Sequence, residues 1–282
     1  MAAPRPVGSL DALLAGLLRG GQPVALGLDL PLGLPRAYAA GRAEAGFLEF
    51  MRGLAARPGF FEVSPGLETV SPERPFYPAR GIKGMTRAAH AVALGFAGPE
   101  GLSRWCDRAT AERPAGAPVF WTLGANQSGK AAITAWRDWL VPALTSGAPI
   151  RLWPFEGGLR ALLAPGQAVL AEVYPAEALR QCGLRLTGSK RAQAPRRALA
   201  PALRAVLDER RVEPEPALVA AITDGFGADA AGEDRFDSVI GLLGLIAVLD
   251  GARPDFVPDD PWIRCWEGWV LGQTALPRGL TP

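Results

Sequence analysis

Three places in this 282-residue chain carry carboxylates where solubility alone would not put them. Asp29 closes the apolar run VALGL and is followed by prolines at 31 and 35. Glu172 lies inside AVLAEVYP, a stretch that is otherwise apolar. Asp234 and Asp237 stand three apart in GEDRFDSVIGLLG, so on a helix they share one face, which Gly241 and Gly244 extend without side chains. Acids gathered with few bases suit Mg²⁺ or Mn²⁺, which prefer oxygen ligands. The candidate metal ligands are therefore Asp29, Glu172, Asp234 and Asp237. Each has a plainer structural reading as well. Asp29 can cap the turn before Pro31, Glu172 can pair with a buried Arg, and Asp234 can cap its helix. Asp237 is harder to explain in that way, because it sits one turn in, on the face that otherwise packs.

A second chemical candidate is LGANQSGKAA at 123–132. Gly124, Gly129 and Lys130 fit G-x-x-x-x-G-K-[ST], but Ala131 stands where a hydroxyl would ligate Mg²⁺. Its flanks, an apolar PVFWTL and a helically spaced AAITAWRDWL, have the strand-then-helix order of a phosphate loop. The missing hydroxyl predicts no nucleoside triphosphate turnover.

The acids need elements to hold them. Val24 to Leu28 reads as a strand buried on both faces, as in a parallel sheet, with Asp29 at its carboxyl end. Further strands are expected over 119–123, 150–153 and 168–174. That places Glu172 near the carboxyl edge of the sheet, where open α/β folds bind ligands. Ser9 should cap a helix that carries Leu10, Leu13, Leu14, Leu17 and Leu18 on one face. Other helices are expected over 40–56, 99–112, 130–141, 175–182, 196–210, 215–223 and 235–250. A helix with a glycine face can lie close to a sheet, which would bring Asp237 towards Asp29 and Glu172. Alternating strands and helices argue for one α/β domain over 1–282, with helical insertions at about 40–115 and 190–230.

Composition narrows the function classes. Hydrophobic residues make up 49% and the net charge is +2, so a large core is expected, without global attraction to nucleic acid or anionic membrane. The longest apolar run, VIGLLGLIAVL at 239–249, has 11 residues against the roughly 20 that a membrane span needs. MAAPRPVGSL has no apolar leader pattern, and the widely spaced Cys106, Cys182 and Cys265 suit a reducing cytoplasm. His90 is expected on a helix surface or satisfied in the core. Trp262, Trp266 and Trp269 should anchor the core.

Eight motifs in order, GLDLPLGLP, RPFYP, FWTLGANQSGKAAI, LWPFEG, AEVYPAEA, GSKR, GEDRFDSVIGLLG and EGWVLG, resemble the bacterial family called domain of unknown function 429. The similarity runs from about residue 24 to 272. It implies a ribonuclease H-like fold, a mixed sheet flanked by helices, and metal-dependent nuclease activity. By the same resemblance Asp29, Glu172 and Asp237 are the catalytic acids, matching the family's acids after its central strand, in its E-x-x-P strand end and in its closing helix. Such acids hold two Mg²⁺ ions about 4 Å apart. The near-Walker segment is then a family segment, whose Lys130, Gln127 and Asn126 would contact phosphate or orient an acid.

The family usually begins with a strand meander whose first strand bears a leading Asp, whereas here 23 residues, mostly one helix, precede Val24. The chain is therefore expected to lack those strands. Its metal site would be weaker, or completed by Asp234 or Glu267, and the edge beside 24–28 would be unpaired and open to homodimerisation. The leading functional expectation is a Mg²⁺-dependent nuclease or phosphodiester hydrolase. Lys190 and Arg191, in the Arg-rich run at 188–204, would meet nucleic-acid phosphates. The alternatives are a noncatalytic binding or scaffold protein that keeps the family core, and a hydrolase of small phosphorylated metabolites.

Overall fold

The computed structural model describes residues 1–81, 83–123 and 128–280. Helix α1 (Leu10–Leu18) starts at Ser9, whose side chain accepts a hydrogen bond from the Ala12 N–H and so satisfies an amide that a helix start leaves free. Strand β1 (Val24–Leu28) follows, then the short helices α2 (Arg36–Ala39), α3 (Phe47–Gly53) and α4 (Arg87–Ala93). Helix α5 (Ser128–Ala135) continues through a π-helical turn (Trp136–Leu140) into α6 (Val141–Ser146). Strand β2 (Ile150–Leu152), the one-turn α7 (Leu159–Leu162) and strand β3 (Ala168–Glu172) come next. The rest is mainly helical: α8 (Pro175–Gln181), α9 (Gln193–Ala198), α10 (Ala200–Glu209), α11 (Pro216–Asp224) and α12 (Gly232–Leu249).

The three strands form one parallel sheet in the order β1-β3-β2. β3 is buried along its whole length, and its alternating side chains feed two cores. Ala168 and Leu170 join an aromatic core with Phe47, Phe50 and Trp136, whereas Val169, Ala171 and Val173 join Leu245 and Val248 of α12 and Trp269. This is the period-two division that lets a central strand carry a layer of helices on each face. A further apolar cluster links α8, α10, α11 and α12 through Leu203, Leu218 and Phe236.

The glycine face of α12 is used as expected. A Cβ at Gly241 would sit 3.2 Å from Val173, and one at Gly244 would sit 2.8 Å from the Ala178 Cβ of α8. The helix therefore closes on the end of β3 and on α8, and carries Asp237 to the carboxyl edge of the sheet.

Four expectations change. The sheet expected to be mixed is parallel throughout the described residues. β1, expected to be buried on both faces, is an edge strand with Val24 to Gly27 only half-buried. The 119–123 segment is no strand: it makes a single parallel bridge, Tyr77 to Trp121, because the Trp121 N–H turns back to the Pro118 carbonyl at 3.1 Å. The 99–112 segment makes only two 3₁₀ turns, Pro99–Leu102 and Trp105–Asp107. Arg104 between them is extended, and Asp107 accepts from both its N–H and its guanidinium.

His90 is fully buried, with Nε2 2.8 Å from the Pro75 carbonyl, and burial lowers its pKa to about 4. Trp266 and Trp269 are core residues, while Trp262 is half-buried beneath the Arg36 guanidinium. No helix among the described residues is long and apolar enough to cross a membrane.

Candidate active site

A cleft of about 250 Å³ opens at the carboxyl ends of β1 and β3, and Asp29, Glu172, Asp234, Asp237 and Lys190 all line it. The four acids singled out in the sequence therefore converge, but in two separate nodes. The division follows from strand geometry. Leu28 pairs with Glu172 in register, so Asp29 lies one residue further along and points to the opposite face.

The first node is closed. Glu172 is 6% exposed, and its Oε1 and Oε2 accept from Nη2 and Nη1 of Arg104 at 2.7 Å each. Oε2 also accepts the Leu32 N–H at 2.7 Å. Arg104 is 1% exposed and reaches Asp107 through Nε and Nη2 at 2.9 Å each. Burial raises the Glu172 carboxyl above its ordinary range, opposed by Arg104. The two-pronged pairing and the backbone donor favour its charged form against that cost. Every strong donor and acceptor here is engaged, so Glu172 has little left to offer a cation.

The second node is open. Asp29 is exposed by area but walled by protein, and its carboxyl is pushed up to about 7 by loss of hydration, with Asp237, Glu172 and Asp234 adding repulsion against the pull of Lys190. Water still reaches it and screens part of that repulsion. Asp237, on the first turns of α12, has its Oδ2 2.5 Å from the Lys190 ammonium, while its Oδ1 is buried with no hydrogen-bond partner. Burial raises the Asp237 carboxyl, opposed by Lys190. Asp234 is exposed in the same helical turn, and its carbonyl accepts from the Ser238 hydroxyl.

The substrate-binding candidates separate likewise. Lys190 is in the cleft but already paired, with Asp237 and with Glu233 at 3.2 Å. Arg191 lies outside the lining and pairs with Glu233 at 3.6 Å. Lys130 is exposed on α5, while its neighbours Ser128 and Ala131 line the cleft. Gln127 and Asn126 lie outside the described residues. Gly129 has a packing reason, since a Cβ there would stand 2.7 Å from the Trp121 carbonyl oxygen. Within the Arg-rich run, Arg196 is buried against the Gly225 and Gly227 carbonyls, and Arg197 pairs with Asp224. Much of that run is spent on the fold.

Sequence reasoning missed Arg104, Asp107, Arg113, Tyr174 and Glu233, all of which line the cleft. The available signal was RWCD, a basic and an acidic residue three apart around an apolar pair. Glu267, named above as a substitute ligand, lies outside the lining. It is 1% exposed, accepts the Arg36 N–H through Oε1, has no partner for Oε2, and is pushed up to about 7 by burial.

The donor set bears on the expected Mg²⁺ or Mn²⁺. Asp29, Asp234 and Asp237 bring hard oxygen donors to one cleft, the chemistry such a cation prefers, and the Oδ1 of Asp237 is buried without a partner. Glu172 does not join them, so two bridged ions lack their third acid. No group of three His, Cys, Asp or Glu side chains among the described residues is already gathered as a metal would need.

Compared with protein-family models, with curated proteins and with solved structures, the chain finds no match. The resemblance to the domain of unknown function 429 family therefore rests on the eight sequence motifs.

Proposed function

We propose that this cleft is the active site of a Mg²⁺- or Mn²⁺-dependent hydrolase of phosphate esters, with a nucleic-acid phosphodiester as the substrate that the motif resemblance favours. One observation carries the reading: six carboxylates line the cleft against the three cations Arg104, Arg113 and Lys190. A phosphate ester is itself anionic, so such a cleft repels it unless a further cation is present. Asp29 and Asp237 would hold that cation, with Asp234 at the mouth. When bound it supplies a positive centre for a phosphoryl oxygen and lowers the pKa of water.

The chain's own residues do the rest. In the metal-free cleft the Asp29 carboxyl is pushed up to about 7 by burial and by the neighbouring acids, so Asp29 would give up the proton it carries when a cation binds, which relieves that crowding. Glu172 and Arg104 hold the loop after β1 in place through the Leu32 N–H. A second reading has support in the ion pairs themselves. Glu172 with Arg104, and Asp237 with Lys190, are the pairings that a noncatalytic scaffold would keep.

Hydrolysis of bis(p-nitrophenyl) phosphate and of a labelled oligonucleotide, each with Mg²⁺, with Mn²⁺ and with chelator, separates these readings. We expect cation-dependent cleavage that Asp29→Asn and Asp237→Asn both remove. Cleavage of the small diester alone would move the substrate to small phosphate esters. No cation-dependent turnover of either, or turnover equal in both variants, would leave the scaffold reading.

A further inference from the structure

We propose that Lys190 is a built-in counter-ion, a positioning residue whose ammonium occupies the metal node of the cleft at rest and gives up Asp237 when the divalent cation enters. The inference rests on the metal-site reading above and assigns Lys190 a different task from the direct phosphate contact that its sequence position suggested.

Three observations and one argument from charge carry it. The Lys190 Nζ lies 2.5 Å from Asp237 Oδ2 and 3.2 Å from Glu233 Oε1, where a positive centre relieves the crowding of acids. It supplies only one unit of charge, and the other oxygen of Asp237 stays buried without a partner. A divalent cation on that oxygen would lie within a few ångströms of the ammonium, and like charges so close in a partly buried cleft repel strongly. Lys190 is also the cleft cation with freedom to leave. Its side chain is 39% exposed, whereas those of Arg104 and Arg113 are 1% and 2% exposed and bound on several sides.

The backbone shows how it would leave. The buried Arg196 guanidinium donates to the Lys190 carbonyl and also to the carbonyls of Gly225 and Gly227. The Ala192 N–H closes a turn onto the Ser189 carbonyl at 3.1 Å. With the main chain fixed at both sides, the ammonium exchanges partners by rotating its four-carbon stem, moving off Asp237 towards Glu233 at the mouth.

Two measurements test this. In the first, Mn²⁺ is titrated by calorimetry into the parent and into Lys190→Met, which keeps the stem and removes the charge. Removing an internal competitor should tighten Mn²⁺ binding about 5-fold or more, the lower end of ordinary coupling between sites. In the second, the three lysines, Lys83, Lys130 and Lys190, are acetylated with acetic anhydride and read by mass spectrometry. Labelling of Lys190 should rise with Mn²⁺ in the parent, that of Lys83 and Lys130 should not, and Asp29→Asn should suppress the rise.

Equal or weaker Mn²⁺ binding by Lys190→Met, with binding by the parent, overturns the counter-ion role and leaves the metal site standing. Absence of binding in both removes the metal site and this inference together. If Lys190→Met does not fold, the parent's labelling decides alone, and unchanged Lys190 labelling on adding Mn²⁺ overturns the proposal.

Discussion

The two halves of the cleft are built from the same kind of residue and behave differently. Glu172 ends the fully buried β3 and meets a guanidinium that matches both of its oxygens, while Asp29 ends the half-buried edge strand β1 and meets other acids. What separates them is which face of the sheet each side chain takes and how much water reaches it. A buried carboxylate must be satisfied by fixed donors, and once paired neither partner can be removed without leaving the other uncompensated. A carboxylate at an open edge can remain under-compensated, and that unmet charge is what a ligand can exploit.

The contrast is sharpest in what it predicts for substitutions. Glu172→Ala leaves the buried Arg104 without its main partner, and breaking a buried pair costs about 3 to 5 kcal/mol. The melting temperature should then fall by roughly 6 to 20 °C, with or without Mg²⁺, at about 2 to 4 °C per kcal/mol. A loss of under about 1 kcal/mol in a denaturant titration would break the comparison, because Glu172 would then resemble the open node.

Asp237→Asn is expected to act the other way. Turnover should drop roughly 100-fold or more, beyond what loss of a mere outer-shell partner costs at metal sites, because Asp237 would hold the cation itself. The melting temperature in chelator should hold or rise, because one of several repelling acids is gone, and the rise given by millimolar Mg²⁺ should vanish. A clear fall in chelator would place Asp237 with the structural node.

Acidity gives a smaller effect with a defined sign. Glu267 and Asp29 both have folded pKa values raised to about 7. The folded protein therefore binds more protons than the unfolded chain between about pH 4 and 7, and stability falls as pH rises through that window. Glu267→Gln and Asp29→Asn should each remove part of that fall, so the variants gain on the parent as pH increases from 4 to 8. The gain should be larger for the buried Glu267 and within roughly 3 °C for Asp29, whose exposed oxygens are screened. Melting curves at half-unit pH steps that stay parallel to the parent would remove the charge-crowding account of both.

The smallest effect belongs to the near-Walker segment. Lys130→Ala on the exposed face of α5 should change stability by no more than about 0.5 kcal/mol and leave turnover unchanged. Calorimetry with ATP and Mg²⁺ should show no binding that depends on this lysine.

Much of this was legible in the sequence. Acids inside or directly after apolar runs pointed to Asp29 and Glu172, and the glycines after Asp237 pointed to the face by which α12 packs. The rest was hidden for physical reasons. VALGL has the composition of a central strand, and no periodicity within five apolar residues distinguishes a centre from an edge. The partner of Glu172 lies 68 residues earlier, in a segment whose helical spacing was overridden by the pull of Glu172 and Asp107 on Arg104. The basic run at 188–204 looked like a surface for phosphates, but charge counted along a sequence does not show that Arg196 turns inward.

The order of the strands also sets the order in which the protein can be made. β2 pairs with β3 across 18 residues, Ile150 to Ala168, but Val24 of β1 must wait for Ala168, 144 residues later. At ribosomal speeds of roughly 5 to 20 residues per second, that wait is on the order of 10 s. During it the first strand, apolar and already synthesised, has no native neighbour to pair with. Chaperones and other nascent chains can engage it in that interval, and the carboxylate at its end cannot take its place in the cleft before β3 has been made.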